Sequence, residues 1–241
     1  MPALLEGHGL TVRFGGLTAL REMDFAVGGG EVLSVIGPNG AGKTTLFNVI
    51  TGRIRPSVGR VVFRGQPLER LPSHRIARLG VVRTFQKTEV FGPLSLLEGV
   101  QAGPLARLAG SRDDVAERAR EALRTVGLLS KAALPAEQLS YGEQRLLELA
   151  QALAAEPQVL LLDEPASGMN RQESGHIMRL IDELRRRGLA IILVEHNMHV
   201  VMTISNRVIV LNHGEKIAEG TAAEVRANSR VIEAYLGVAA G

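Results

Sequence analysis

Apolar and polar positions along this chain follow three rhythms, and each predicts a different kind of element. Residues 4–14, 18–27 and 60–63 alternate at a period of two around the Gly28-Gly29-Gly30 turn, which predicts antiparallel strands in the first part. Val32-Leu33-Ser34-Val35-Ile36 is a nearly unbroken apolar run, the pattern of a strand covered on both faces. Comparable strands are predicted at residues 80–85, 158–163 and 189–195. Residues 112–126 and 142–155 carry apolar side chains at i, i+3, i+4 and i+7, the helical spacing. Further helices are expected at 73–79, at 171–187 and just after His196. A hairpin over 208–212 and 215–218 turns at His213-Gly214, and two helices follow within 221–237. Between about 95 and 156 there is no convincing strand, so this stretch reads as a helical insert with a start broken at Gly103-Pro104. Strands alternating with helices elsewhere imply a mostly parallel sheet with helices on both faces.

Composition narrows the class without naming a function. At 241 residues with 45% apolar content, the chain fits one large α/β domain or a core with a small added subdomain. It contains no cysteine, which excludes disulfides, thiolate metal sites and a cysteine nucleophile. The opening residues lack a basic stretch followed by an apolar one, so no signal peptide is expected. No apolar run approaches the roughly 20 residues that span a bilayer, so any membrane connection is expected to run through a partner. The net charge is only +3 and just 3% of residues are aromatic, which argues against a nucleic-acid partner. Arg185-Arg186-Arg187 suits the negative end of its helix.

Chemistry enters at Gly37-Pro38-Asn39-Gly40-Ala41-Gly42-Lys43-Thr44-Thr45, a G-x-x-x-x-G-K-T pattern between a buried strand and a helix. Glycines let the backbone wrap a polyphosphate and turn its N–H groups inward, and the helix N-terminus adds its positive end. Lys43 can reach the β- and γ-phosphates, and the Thr44 hydroxyl can ligate Mg²⁺. The pattern implies a nucleoside triphosphate as ligand. Leu160-Leu161-Leu162-Asp163-Glu164-Pro165 ends a second buried strand in acids, where α/β sheets place reactive groups. Asp163 can hold the Mg²⁺ shell beside Thr44, and Glu164 can polarise an attacking water.

Together with Leu139-Ser140-Tyr141-Gly142-Glu143-Gln144, these motifs resemble the ATP-binding cassette (ABC) nucleotide-binding domain. The resemblance covers 4–237. It implies a P-loop NTPase (RecA-like) α/β core, an antiparallel β subdomain, an α-helical subdomain inserted at about 95–156, and C-terminal helices at about 221–237. The cofactors it implies are ATP and Mg²⁺. The stretch from Leu139 matches the signature loop, whose Ser140, Gly142 and Glu143 are expected to close over ATP held by a second cassette in a head-to-tail dimer. A plain capping box would explain the helix start there but not the rest of the set.

Other markers follow in order. Phe14 matches the aromatic that stacks on adenine. Gln86 matches the glutamine that meets Mg²⁺ and the attacking water and leads to the membrane partner. His196 matches the switch histidine at the γ-phosphate. His196 and His199 are three residues apart, but no third ligand supports zinc. The loop Ser167-Gly168-Met169-Asn170 ends in Asn where the family usually has Asp, which removes a charge at the expected dimer interface.

Within the family, four stretches resemble the ATP-binding subunit of branched-chain amino acid importers: Arg13-Phe14-Gly15-Gly16-Leu17, Val81-Val82-Arg83-Thr84-Phe85-Gln86, Asp163 through Asn170, and Ala234-Tyr235-Leu236-Gly237. That branch implies two integral-membrane permeases, an extracytoplasmic substrate-binding protein acting indirectly, and a place at the cytoplasmic face of the membrane. Residues 87–100, with Phe91, Leu94, Leu96 and Leu97, are expected to present an apolar surface to a permease. Urea and amide importers share these features closely, the lipopolysaccharide-export ATPase less so. A soluble ABC ATPase of translation or repair is disfavoured by the single cassette and the lack of sustained heptads.

Overall fold

The computed structural model describes residues 3–84, 94–105 and 112–236. Its strands are β1 (Ala3–Phe14), β2 (Leu17–Gly28), β3 (Val32–Ile36), β4 (Val58–Phe63), β5 (Gln66–Pro67), β6 (Val81–Arg83), β7 (Val159–Asp163), β8 (Ala190–Val194), β9 (Arg207–Asn212) and β10 (Glu215–Gly220). Its helices are α1 (Lys43–Ile50), α2 (Ser73–Arg78), α3 (Leu96–Leu105), α4 (Arg112–Thr125), α5 (Tyr141–Leu153), α6 (Arg171–Arg186), α7 (Met198–Ile204), α8 (Ala222–Ala227) and α9 (Ser229–Leu236).

Two sheets organise these elements. The smaller has the order β2-β1-β4-β5 and is antiparallel. The larger has the order β10-β9-β3-β8-β7-β6, parallel except for the β10 edge. The apolar runs of β3, β7 and β8 are buried at every position, as strands covered on both faces must be.

Because strand side chains alternate, each central strand divides its residues between two cores. Leu160, Leu162, Ile191 and Leu193 join Ile177, Leu180 and Ile181 of α6, Leu147 and Ala150 of α5, and Leu96 and Val100 of α3. Leu161, Ile192 and Val194 face the other way, against Leu46, Phe47 and Ile50 of α1 and the inner face of the small sheet. A third cluster joins Ile36, at the end of β3, to Val225 of α8 and Val231 of α9.

Helix α3 departs from the expected glycine-broken start. A capping interaction holds it: the Ser95 amide and hydroxyl both donate to Glu98, at 2.9 and 2.6 Å. Leu96 and Val100, one turn apart, are fully buried, and that burial outweighs the weak propensity of Gly99 and Gly103. The same burial corrects the expected docking surface. Leu96 and Val100 belong to the core, Leu97 packs partly against it, and residues 87–93 lie outside the described residues. The arginine triplet behaves as expected of a helix end: Arg185 and Arg186 pair with Asp182, and Arg187 with Glu183.

Candidate functional site

Parallel β3, β7 and β8 end together, with Val35 opposite Val194 and Val194 opposite Asp163 in the ladder. The loops that follow them therefore meet at one edge of the sheet, the usual place for a ligand in an open α/β fold. They border a cavity of about 480 Å³ lined by Phe14, residues 39–45, Asp163, Glu164 and the unanticipated Leu17, Thr18, Ala19, Val194 and His213.

The phosphate loop holds its shape by close packing. A Cβ on Gly37 would lie 2.2 Å from the Leu211 carbonyl oxygen, and one on Gly42 would lie 2.6 Å from that of Ala19. Gly40, at φ +78°, faces open space. Helix α1 starts at Lys43 without a side-chain cap, so its first N–H groups are left for an anion. Lys43 Nζ donates to the carbonyls of Gly37 and Pro38, at 2.7 and 2.9 Å. Burial pulls its ammonium below the usual lysine range, and Glu164 and Asp163 work against that shift.

Asp163 is buried at the end of β7, and Glu164 follows it with φ +50°. A left-handed non-glycine residue is strained, and such strain persists where the surroundings over-determine it. Here the Glu164 N–H donates to Val194 O at 2.8 Å. Glu164 Oε1 lies 3.5 Å from His196 Nδ1, so the expected general base and switch histidine are neighbours.

Three contributors escaped the sequence reading. Glu195 is 1% exposed, and its carboxylate accepts N–H bonds from Ala166 at 3.1 Å, His196 at 3.2 Å and Asn197 at 3.3 Å. It ties the loop after β7 to the loop after β8, and its place directly after the apolar run of β8 was the available signal. Arg83 pairs with Asp163. The Tyr235 phenol of α9, itself 43% exposed, lies beside the Gly37 backbone, and partial burial raises it above the usual value.

Residues 20–167 match the family described as ABC transporter. The chain belongs to the ABC transporter family. Residues 215–241 also match a model described as branched-chain amino acid ATP-binding cassette transporter. Among curated relatives, the high-affinity branched-chain amino acid transport ATP-binding protein LivG of Escherichia coli (strain K12) is 42% identical over 253 residues, covering 98% of each chain. The counterpart BraF of Pseudomonas aeruginosa is 41% identical, again over 98% of each. An ATP-binding cassette of an ABC transporter in its ADP conformation superposes with a TM-score of 0.91 at 28% identity, covering 98% of this chain and 100% of that one. A dimeric cassette bound to ADP and Pi superposes at 0.79 with 27% identity, covering 90% and 98%. The fold is that of the ABC ATPases, and the cassette binds nucleotide.

In this ABC cassette the signature stretch lies elsewhere. Ser140 caps α5, accepting from the Glu143 N–H, while Glu143 returns a carboxylate oxygen to the Ser140 N–H. A hydrogen bond from Lys131 and the Ser140 N–H hold the Glu143 carboxyl below its usual value. Gly142 leaves room for the Glu173 carboxylate, whose Oε1 would lie 2.8 Å from a Cβ there. Ser140, Gly142 and Glu143 line a second cavity of about 410 Å³ with Met169, Asn170 and Glu173, and it shares no lining residue with the first. Asn170 caps α6, accepting from the Gln172 and Glu173 N–H groups at 2.9 and 3.0 Å. Gln86 lies outside the described residues. Among the described residues, no group of three or more His, Cys, Asp or Glu could hold a metal, and no helix is long and apolar enough to cross a membrane.

Proposed function

We propose that this cassette is the ATP-hydrolysing subunit of a branched-chain amino acid importer and works from the cytoplasmic face of the membrane. The observation that carries the reading is the branch-specific match of residues 215–241, together with likeness to LivG and BraF over 98% of the chain. Residues 4–237 act as one nucleotide-binding domain, with the helices between about 95 and 156 as its inserted subdomain. The partners are a second cassette, two permeases coupled through Gln86, and, through them, an extracytoplasmic binding protein. An equivalent role in a urea or amide importer is the closest alternative.

The roles follow from the geometry. Phe14, at the mouth of the cavity, stacks on adenine. Amides of residues 39–45 and the α1 N-terminus cradle the phosphates, and Lys43 trades two loop carbonyls for phosphate oxygens. Thr44, Asp163 and Gln86 are hard oxygen donors of the kind Mg²⁺ takes, and Mg²⁺ supplies charge neutralisation at the β- and γ-phosphates. Glu164 accepts a proton from the attacking water, and His196 beside it faces the γ-phosphate. Ser140, Gly142 and Glu143 serve a different nucleotide, because within one chain they border a separate cavity. A second cassette, facing head to tail, brings the two halves together.

Size exclusion with the purified cassette tests this arrangement. Glu164→Gln, which keeps the shape but removes the base, is expected to elute as a dimer with Mg-ATP and as a monomer without it. Adding Ser140→Arg should abolish the dimer. A Glu164→Gln protein that stays monomeric at saturating ATP would falsify the shared site.

A further inference from the structure

Arg83 ends β6 beside Asp163, which lines the nucleotide cavity, and its side chain is only 9% exposed. Nη2 donates to Asp163 Oδ2 at 2.6 Å, and Nη1 donates to Asn48 Oδ1 at 2.8 Å. Its guanidinium carbon lies 5.3 Å from the centroid of the Phe47 ring. One planar group thus joins β6, β7 and the helix α1 that begins with Lys43 and Thr44. Phosphate binding does not ask for this cation, since the cavity already has Lys43.

A carboxylate as buried as Asp163, 2% exposed at its side chain, needs its oxygens partnered, and Arg83 partners one of them. The guanidinium fork adds direction to charge. With one nitrogen on Asn48 and the other on a single Asp163 oxygen, the guanidinium bridges the carboxylate to α1, and turning that oxygen away breaks the bridge. Outer partners that fix a ligating carboxylate tune metal affinity almost as strongly as the ligands do.

We propose that Arg83 is a positioning residue for Asp163. It holds the carboxylate by one oxygen and leaves the other for the metal ion that would accompany ATP, and Asn48 ties this arrangement to the phosphate-loop helix. The inference rests on the reading of Asp163 as a metal-shell acid. It goes further by assigning Arg83 and Asn48, and by predicting that the loss on mutation falls on the metal rather than on the nucleotide.

The test measures binding of a fluorescent ATP analogue to the full chain, first in EDTA and then across a Mg²⁺ titration, for wild type, Arg83→Met, Arg83→Lys and Asn48→Ala. In EDTA all four should bind alike. The Mg²⁺ midpoint of Arg83→Met should rise by about 10- to 100-fold, the cost usual for losing an outer-shell partner. Arg83→Lys, which keeps the charge but loses the fork, should fall between it and wild type. Asn48→Ala leaves the ion pair intact and should also raise the midpoint, so the inference stays testable if Arg83→Met fails to fold. Midpoints equal to wild type in the folded variants would overturn it. So would an equal loss of affinity in EDTA, which marks mere structural support. A wild-type protein indifferent to Mg²⁺ would instead overturn the metal reading of Asp163 beneath it.

Discussion

Replacing Lys43 by Met should separate the cost of burying an ammonium from its use. In the free protein Nζ spends its charge on the Gly37 and Pro38 carbonyls, and burial lowers its proton affinity. The unfolded chain therefore holds this proton to higher pH than the folded one. Below the lowered value the buried ammonium opposes folding, and the penalty fades as pH rises through it. At neutral pH the Met variant without nucleotide should melt no lower than wild type. With ATP the order reverses. A hydrogen bond to a charged partner is worth about 1.5–3 kcal/mol, so losing the phosphate contacts should weaken ATP binding by about 10- to 150-fold. At an ATP concentration about 100 times the wild-type Kd, wild type gains about 2.7 kcal/mol of stability and a variant 100-fold weaker gains about 0.4. At about 2–4 °C per kcal/mol for a domain of this size, the ATP-induced shift should shrink from about 5–11 °C to about 1–2 °C. Thermal melts with and without ATP read both effects. An undiminished shift in Lys43→Met would refute the assignment of Lys43 to the phosphates.

Tyr235→Phe removes the phenol oxygen beside the Gly37 backbone; a contact as strong as a hydrogen bond, about 0.5–1.5 kcal/mol, would lower ATP affinity by about 2- to 10-fold; calorimetry showing no change would mean α9 does not set the phosphate loop. Glu195→Gln disturbs a carboxylate that gathers three loop N–H groups, and should lower kcat by about tenfold or more with little change in KM, because Ala166 and His196 belong to loops carrying the base and the switch residue. Steady-state hydrolysis checks it, and an unchanged kcat counts against that role. Glu164→Gln in the assembled transporter should reduce hydrolysis by about 10²–10⁴-fold, measured as phosphate release.

What was legible in the sequence were features with strong local signals. The apolar runs of β3, β7 and β8, the phosphate loop and the acids after β7 all depend on consecutive residues. What escaped depends on contacts distant in sequence. Arg83 and Asp163 are 80 residues apart, and only the parallel pairing of β6 with β7 brings them together. Glu195 looked like the polar end of a strand; its neighbours His196 and Asn197 donate locally, but its bond from Ala166 arises only once β7 and β8 stand side by side. Tyr235 reaches Gly37 because Val231, one turn earlier, enters the same cluster as Ile36. Helix α3 was readable in principle, since Ser95 and Glu98 have the spacing of a capping box, but its glycines and Pro104 masked that signal. Leu96 was misplaced for the opposite reason. An apolar residue beside turn formers reads as exposed until the core that covers it is known.

The most direct measurement is leucine-dependent ATP hydrolysis by this cassette assembled in lipid vesicles with its permeases, its partner cassette and the binding protein. Leucine should stimulate phosphate release and its own accumulation, urea should do neither, and Glu164→Gln should abolish both. Stimulation by urea but not by leucine, or leucine uptake that persists in Glu164→Gln, would contradict the account.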